Sequence, residues 1–211
     1  MRIAVLGATG TTGRLFVQRA LANGHELTAL VRSEGKLAEH PHLTTVKGNV
    51  LDLADVCRVV ATQDAIFCAL GTGADTSKAT VRADGTQNLV TALQRIGGQP
   101  HLIVLSSLGV GESRIQMHWL VRWFVTWSLR NPLADHRSQE RIVRESRLPY
   151  TILRPTALTD NPNLETSLRV SYPPEKIKAQ PGVPRANVAA FALETIEQRD
   201  FLNQILTLTT A

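Results

Sequence analysis

Short apolar runs along this chain alternate with stretches in which apolar residues recur every three or four positions. The first pattern suits buried strands and the second suits helices with one buried face. "RIAVLG" reads as strand one, residues 12–23 as helix one with Gly24 as its stop, "ELTALVR" as strand two and "LTTVKGN" as strand three. "DLADVCRVVAT" reads as the next helix, "DAIFCALG" as strand four, residues 77–96 as a long helix ending at Gly97-Gly98, and "HLIVLSS" as strand five. The second half is less regular. "IQMHWLVRWFVTWSL" and "DHRSQERIVRES" predict two helices, and "LPYTILRP" a sixth strand halted by Pro155. Residues 161–184 read as loop with one short strand around Leu168–Ser171, followed by a helix over residues 186–198 and the strand "QILTLT". Strands alternating with helices predict an α/β fold, a doubly wound parallel sheet, in a single domain covering residues 1–211.

With 43% hydrophobic and 19% charged residues, the chain has enough apolar surface for a sizeable core. Its net charge of +5 favours anionic partners, but the basic residues are dispersed and no Cys/His zinc spacing occurs, so no nucleic acid is expected. Cys57 and Cys68 lack metal-ligand or CxxC spacing and read as reduced core residues, with no metal site. The apolar run at residues 3–6 stops at Gly7, without a basic leader, so neither a signal peptide nor a membrane partner is expected and the chain reads as cytoplasmic.

"GATGTTGR" places Gly7, Gly10 and Gly13 where the first strand turns into the first helix. In a Rossmann-like fold the first glycine permits the tight turn, the second lets backbone approach a pyrophosphate, and the third lets helix pack on strand. The helix start supplies N–H groups for an anion. Cofactor choice is read at the end of strand two, where a carboxylate would accept from the ribose hydroxyls of NAD. Here the strand ends in Val31-Arg32-Ser33, and an arginine pairs with a 2′-phosphate, so NADPH is the expected cofactor. The alternative is an ordinary surface arginine.

The stretches "GATGTTG", "LTALVR", "GNVLD", "DAIFCALGT", "LIVLSS" and "DHRSQERIVRESRLPYTILRP" resemble the atypical short-chain dehydrogenase/reductases, and within them the biliverdin IXβ reductase/flavin reductase group. The resemblance implies that Gly7, Ala8, Thr9, Gly10, Thr11 and Thr12 hold the pyrophosphate, Arg32 the 2′-phosphate, and Asn49-Val50 the adenine. It implies that Leu70-Gly71 and Arg82 line the cofactor, that Ser106 and Ser107 lie near the nicotinamide, and that Pro155-Thr156 pass beside its carboxamide. Three positions depart from the group: Asn49 stands where aspartate is common, Gly73 where an arginine can occur with Lys78 nearby, and Ala157 where a histidine has been considered for proton transfer.

Typical short-chain dehydrogenases use a helical Tyr-x-x-x-Lys pair as proton relay. One such spacing occurs, Tyr172 to Lys176, and its two prolines forbid the helical turn it needs. Where the resemblance would put the pair, the chain has Pro132 and His136. His136 is expected to reach the nicotinamide ribose, the alternative being a surface residue at a helix start. Without the relay, the acceptor must take hydride readily by its own electronics. The resemblance implies a linear tetrapyrrole of biliverdin type, with FMN or FAD as second acceptors and the acceptor site in the segments after strands five and six. Ser107 is the candidate for orienting the acceptor or relaying a proton, against the plainer reading of a serine that ends the strand. The rivals are an NADP(H)-binding redox sensor or assembly protein without turnover, and a quinone or other small-molecule reductase.

Trp119, Trp123 and Trp127 recur every fourth residue and so share one helical face. Core or subunit packing is the default reading of such a stripe; a wall for a flat acceptor and a membrane-surface helix are the alternatives. Arg137, Arg141, Arg144 and Arg147 interleave with Glu140 and Glu145, which reads as a solvated face. The sequence leaves the oligomeric state open.

Overall fold

The computed structural model describes residues 1–72, 80–160, 167–177 and 182–210. Its strands are β1 (Arg2–Leu6), β2 (Glu26–Val31), β3 (Leu43–Lys47), β4 (Ala65–Cys68), β5 (His101–Leu105), β6 (Tyr150–Pro155), β7 (Leu158–Thr159), β8 (Leu168–Ser171), β9 (Val183–Pro184) and β10 (Gln204–Thr210). The helices are α1 (Thr11–Ala22), α2 (Leu53–Val60), α3 (Val81–Ile96), α4 (Trp119–Ser128), α5 (Arg130–Glu145) and α6 (Arg185–Gln198), with a short 3-10 helix at Gly111–Gln116. The main sheet runs in the order β3-β2-β1-β4-β5-β6-β10-β8. Seven of these strands are parallel, and β8 pairs antiparallel to β10 at the edge. β7 and β9 form a separate two-stranded ladder.

The apolar runs are the central strands. Every residue of β4 and β5 is buried, as expected where helices cover both faces of a parallel sheet. One apolar layer packs α1 and α6 against the sheet through Phe16, Phe67, Val188 and Leu206, with Phe16 and Phe67 stacked at 4.1 Å. The other packs α2, α3 and α5 through Val56, Ile66, Leu89, Leu102 and Val143. β3 lies at an edge and is correspondingly half polar.

Each predicted element within the described residues is present, including the short strand at Leu168–Ser171. Two predictions need correction. α5 begins at Arg130 rather than at the predicted Asp135, because Pro132 sits in its first turn, where the missing N–H breaks no helical bond. The Trp119, Trp123 and Trp127 indoles are not core: they are 63%, 68% and 69% exposed. The predicted start of α3 lies outside the described residues.

Gly7 and Gly24 both adopt left-handed backbone, at φ +87° and +77°. A Cβ at Gly7 would stand 2.3 Å from the Ala69 carbonyl oxygen, whereas at Gly24 it would meet open space. Gly7→Ala should therefore lower stability by about 3 kcal/mol and Gly24→Ala by about 1 kcal/mol, read from urea midpoints. Equal losses at the two positions would contradict the packing contribution at Gly7.

Candidate functional site

A cleft of about 840 Å³ opens along the carboxyl ends of β1, β2, β4 and β5, where open α/β sheets hold their ligands. It brings together Gly7, Thr9, Gly10, Thr11, Thr12, Gly13, Arg32, Asn49, Val50, Leu70, Gly71, Arg82, Ser106 and His136. Four expected residues do not line it. Ala8 is buried beneath the loop, Pro155 pairs with Leu208 inside the sheet, and Thr156 bonds through its N–H to the Leu208 carbonyl at 3.0 Å. Ser107 is half-buried and donates its hydroxyl to the Leu108 carbonyl at 3.1 Å. Gly73 and Lys78 lie outside the described residues. The cleft also contains Leu105, Leu158 and Arg185, which sequence reasoning missed.

The glycine loop is shaped for a close anion. The turn closes with the Gly10 N–H on the Gly7 carbonyl at 3.0 Å, and a Cβ at Gly13 would stand 2.2 Å from that same oxygen. Gly10 starts α1 with extended backbone, no capping side chain and no acid in the first turn. The first amides of α1 therefore remain available to an anion, and the helix dipole favours negative charge there. A side chain at Gly10 would fill this cradle, so the residues present fit a dinucleotide pyrophosphate. Arg32, just beyond β2, is exposed and has no ion-pair partner among the described residues. Asn49 uses its side-chain carbonyl on the Leu51 N–H at 3.1 Å, which leaves its amide hydrogens for an adenine edge.

α5 supplies the opposite wall. The α3 N-cap, Thr80, makes no side-chain cap, and Asp135 of α5 does that work from outside the helix. Its carboxylate accepts from the Arg82 N–H at 3.2 Å and the Ala83 N–H at 2.9 Å, and pairs with Arg82 Nη1 at 3.2 Å. Arg82 Nε is buried without a partner, an unspent donor in a cleft-lining residue. His136 bonds through Nδ1 to Gln139 Oε1 at 3.1 Å, while Gln139 Nε2 donates to Thr86 Oγ1 at 3.1 Å. Burial first, then the Arg82 charge, push the His136 pKa down to about 4. The ring is neutral at pH 7 with its hydrogen on Nδ1, so Nε2 is a lone-pair acceptor. Cys68, behind this network, is pushed up to about 11 by burial and is an inert thiol.

Ser106 closes the cleft at the end of β5. Its hydroxyl donates to Glu140 Oε1 at 2.6 Å. Glu140 is held by Arg154 through Nε at 2.9 Å and Nη2 at 2.6 Å, and Arg154 reaches Glu112 at 2.9 Å. Arg154 is 1% exposed. Burial disfavours its charge, but Glu140 and Glu112 outweigh that and raise its pKa. Glu140 is thus no part of a solvated face, although Arg137, Arg141 and Arg144 on the same helix are exposed. Two signals in the sequence pointed this way: an arginine inside the apolar strand "YTILRP", and Glu140 one helical turn from His136. Because its hydrogen is committed to a carboxylate, Ser106 offers only lone pairs to a ligand.

His136 also sets a pH response. Its folded pKa is about 4 against 6.5 for a free imidazole, so the unfolded chain binds the extra proton first as pH falls. Stability from this group is complete above about pH 6.5 and is lost on the way to about pH 4, by up to about 3 kcal/mol. His101, also buried and depressed to about 4, adds in the same direction. Urea unfolding of His136→Gln should show a shallower loss over that range, and an unchanged slope would contradict the burial of the ring.

The NAD(P)H-binding family profile matches residues 7–199. The UPF0659 protein YMR090W of Saccharomyces cerevisiae is 27% identical over 205 residues, covering 93% of this chain and 87% of that one. A short-chain dehydrogenase/reductase from Veillonella parvula in complex with NADP superposes with a TM-score of 0.82 at 20% identity, covering 98% of this chain and 93% of that one. ChuY, an anaerobillin reductase from Escherichia coli O157:H7, superposes with a TM-score of 0.80 at 21% identity, covering 99% and 96%. The glycine cradle, the family match and the shared Rossmann-like fold agree, and the chain belongs to the NAD(P)H-binding family.

Proposed function

We propose that this protein is an NADPH-dependent reductase of a conjugated acceptor, a biliverdin-type linear tetrapyrrole, with flavin as a second acceptor. The observation that carries the reading is the absence of a tyrosine from the cleft. The chain has two tyrosines. Tyr150 begins β6, at the end of the sheet away from the cleft, and Tyr172 follows β8 as an exposed residue. Neither lines the cleft, so no phenol is available to protonate a carbonyl. An acceptor whose own conjugation drains the incoming electrons does not need one.

The cofactor, when bound, supplies the hydride. Gly7 to Gly13 would hold its pyrophosphate, Arg32 its 2′-phosphate, Asn49 and Val50 its adenine, and His136 Nε2 would accept from a ribose hydroxyl. Neutral His136 is no acid at pH 7. Ser106 would accept a hydrogen bond from a ligand N–H, such as a nicotinamide amide or a pyrrole, and so orients rather than protonates. This assigns to Ser106 the orienting role that the sequence suggested for Ser107. Reduction adds a hydride to the conjugated carbon and a proton to nitrogen, the proton coming from solvent. Arg185 stands on the β6 side of the cleft, and its partner Asp160, at 2.7 Å, is 74% exposed. Such a pair is weak and exchangeable, which suits the propionate of a bilin or the phosphate of a flavin. The likeness to ChuY supports the tetrapyrrole class.

Mixing the purified protein with NADPH and biliverdin isomers, or FMN, should consume NADPH and shift the bilin spectrum. Tight NADPH binding without turnover of any acceptor would overturn the reductase reading and favour a non-catalytic NADP(H) sensor. Arg32→Asp should weaken NADPH by about 10- to 100-fold and leave NADH nearly unchanged. Ser106→Ala should lower turnover by at least about tenfold, with Ser107→Ala near wild type. Turnover should also show no inflection from His136 between about pH 5 and pH 8.

A further inference from the structure

The other helices bury most of their large apolar side chains, and α4 exposes several of its own among the described side chains. Trp119, Trp123 and Trp127 are more than 60% exposed, and Leu120 is 52% exposed. Successive fourth residues drift by about 40° around a helix, so the three indoles and Leu120 cover an arc of about 100°. That is the width of a face that a globular helix normally buries. Among the described residues, most exposed large apolar side chains fall in the short segment from Ile115 to Leu129.

Charge tells which partner suits this face. From Ser113 to Ala134 the chain carries Arg114, Arg122 and Arg130 and no aspartate or glutamate, within a protein of net charge +5. A second copy joined about a two-fold axis would set these like charges together. Three indoles in a row along one helix lie at one depth, which suits a planar boundary better than a pocket. Indole is the side chain that favours the boundary between water and lipid, with its ring among the upper chains and its N–H among headgroups. At ten residues α4 is too short to cross a bilayer, and no described helix is long and apolar enough to do so.

We propose that α4 is an interfacial anchor that docks this protein on an anionic lipid surface, its indoles in the headgroup region and the exposed arginines that flank it, Arg114 and Arg130, on lipid phosphates. This reverses the expectation from sequence of no membrane partner. Neither the three tryptophans nor Leu120 lines the cofactor cleft.

The chain has three tryptophans, all on α4, so its tryptophan emission reports on this face alone. Vesicles of phosphatidylcholine containing phosphatidylglycerol should shift the emission to the blue and carry the protein upward in flotation. Binding should be at least about tenfold tighter than to phosphatidylcholine alone and should fall with salt. The triple variant Trp119→Gln, Trp123→Gln, Trp127→Gln replaces three rings that are each more than 60% exposed. It should lose vesicle binding by at least about tenfold while keeping wild-type NADPH affinity, which certifies its fold. No flotation with anionic vesicles, equal binding to neutral ones, or wild-type binding by the triple variant would each overturn the proposal. So would a stable dimer in solution whose indole emission is already blue-shifted, or binding only to an acidic protein.

Discussion

The buried ion pair between Glu140 and Arg154 is the constraint on which the Ser106 and His136 end of the cleft depends. Arg154 sits inside β6 with almost no contact with water, so its charge must be answered from the nearest helix. Glu140 answers it with both carboxylate oxygens and thereby fixes the rotation and height of α5 against the sheet. Removing one partner of such a pair typically costs about 3–5 kcal/mol, because the other charge stays buried. With α5 held, His136 is carried to the cleft and Asp135 to the start of α3, and Ser106 has its hydrogen drawn to the same carboxylate as Arg154.

The result is a wall of polar groups whose hydrogens are already assigned. Asp135 is spent on the start of α3 and on Arg82, and His136 on Gln139. Ser106 is spent on Glu140. The unassigned capacity belongs to elements that line the cleft: lone pairs on Ser106 and His136 Nε2, the buried Nε donor of Arg82, the amides of α1. That division between committed and available groups gives the site a definite hydrogen-bond polarity without any ligand present. It also separates recognition from proton donation, since none of the cleft's neutral polar side chains is an acid near pH 7.

Much of this was legible in the sequence, and for a physical reason. Parallel strands covered on both faces must read as apolar runs, so β1, β4 and β5 declared themselves in "IAVL", "AIFC" and "HLIVL". The glycine loop was legible because backbone at Gly7 and Gly13 lies well inside van der Waals contact of any added Cβ, a local demand that only glycine meets. The neighbours of Arg32 and Asn49 in the cleft came from the strand order that the alternation implied.

Contacts between residues distant in the chain were not legible. Whether Ser106 or Ser107 lines the cleft depends on which one the buried carboxylate of α5 captures from 34 positions away, and strand alternation alone leaves both near it. Glu140 reads as part of a solvated helix face until packing buries it, and Arg185, on which the sequence reading was silent, reaches the cleft only through packing. The tryptophan period was plain, yet period says that three rings share a face and says nothing of what the face meets. Local backbone sterics and burial of apolar runs determined the fold and the phosphate loop from sequence alone; only the tertiary structure decided which polar groups are spent on one another and which remain for a ligand, because that pairing is made across the chain.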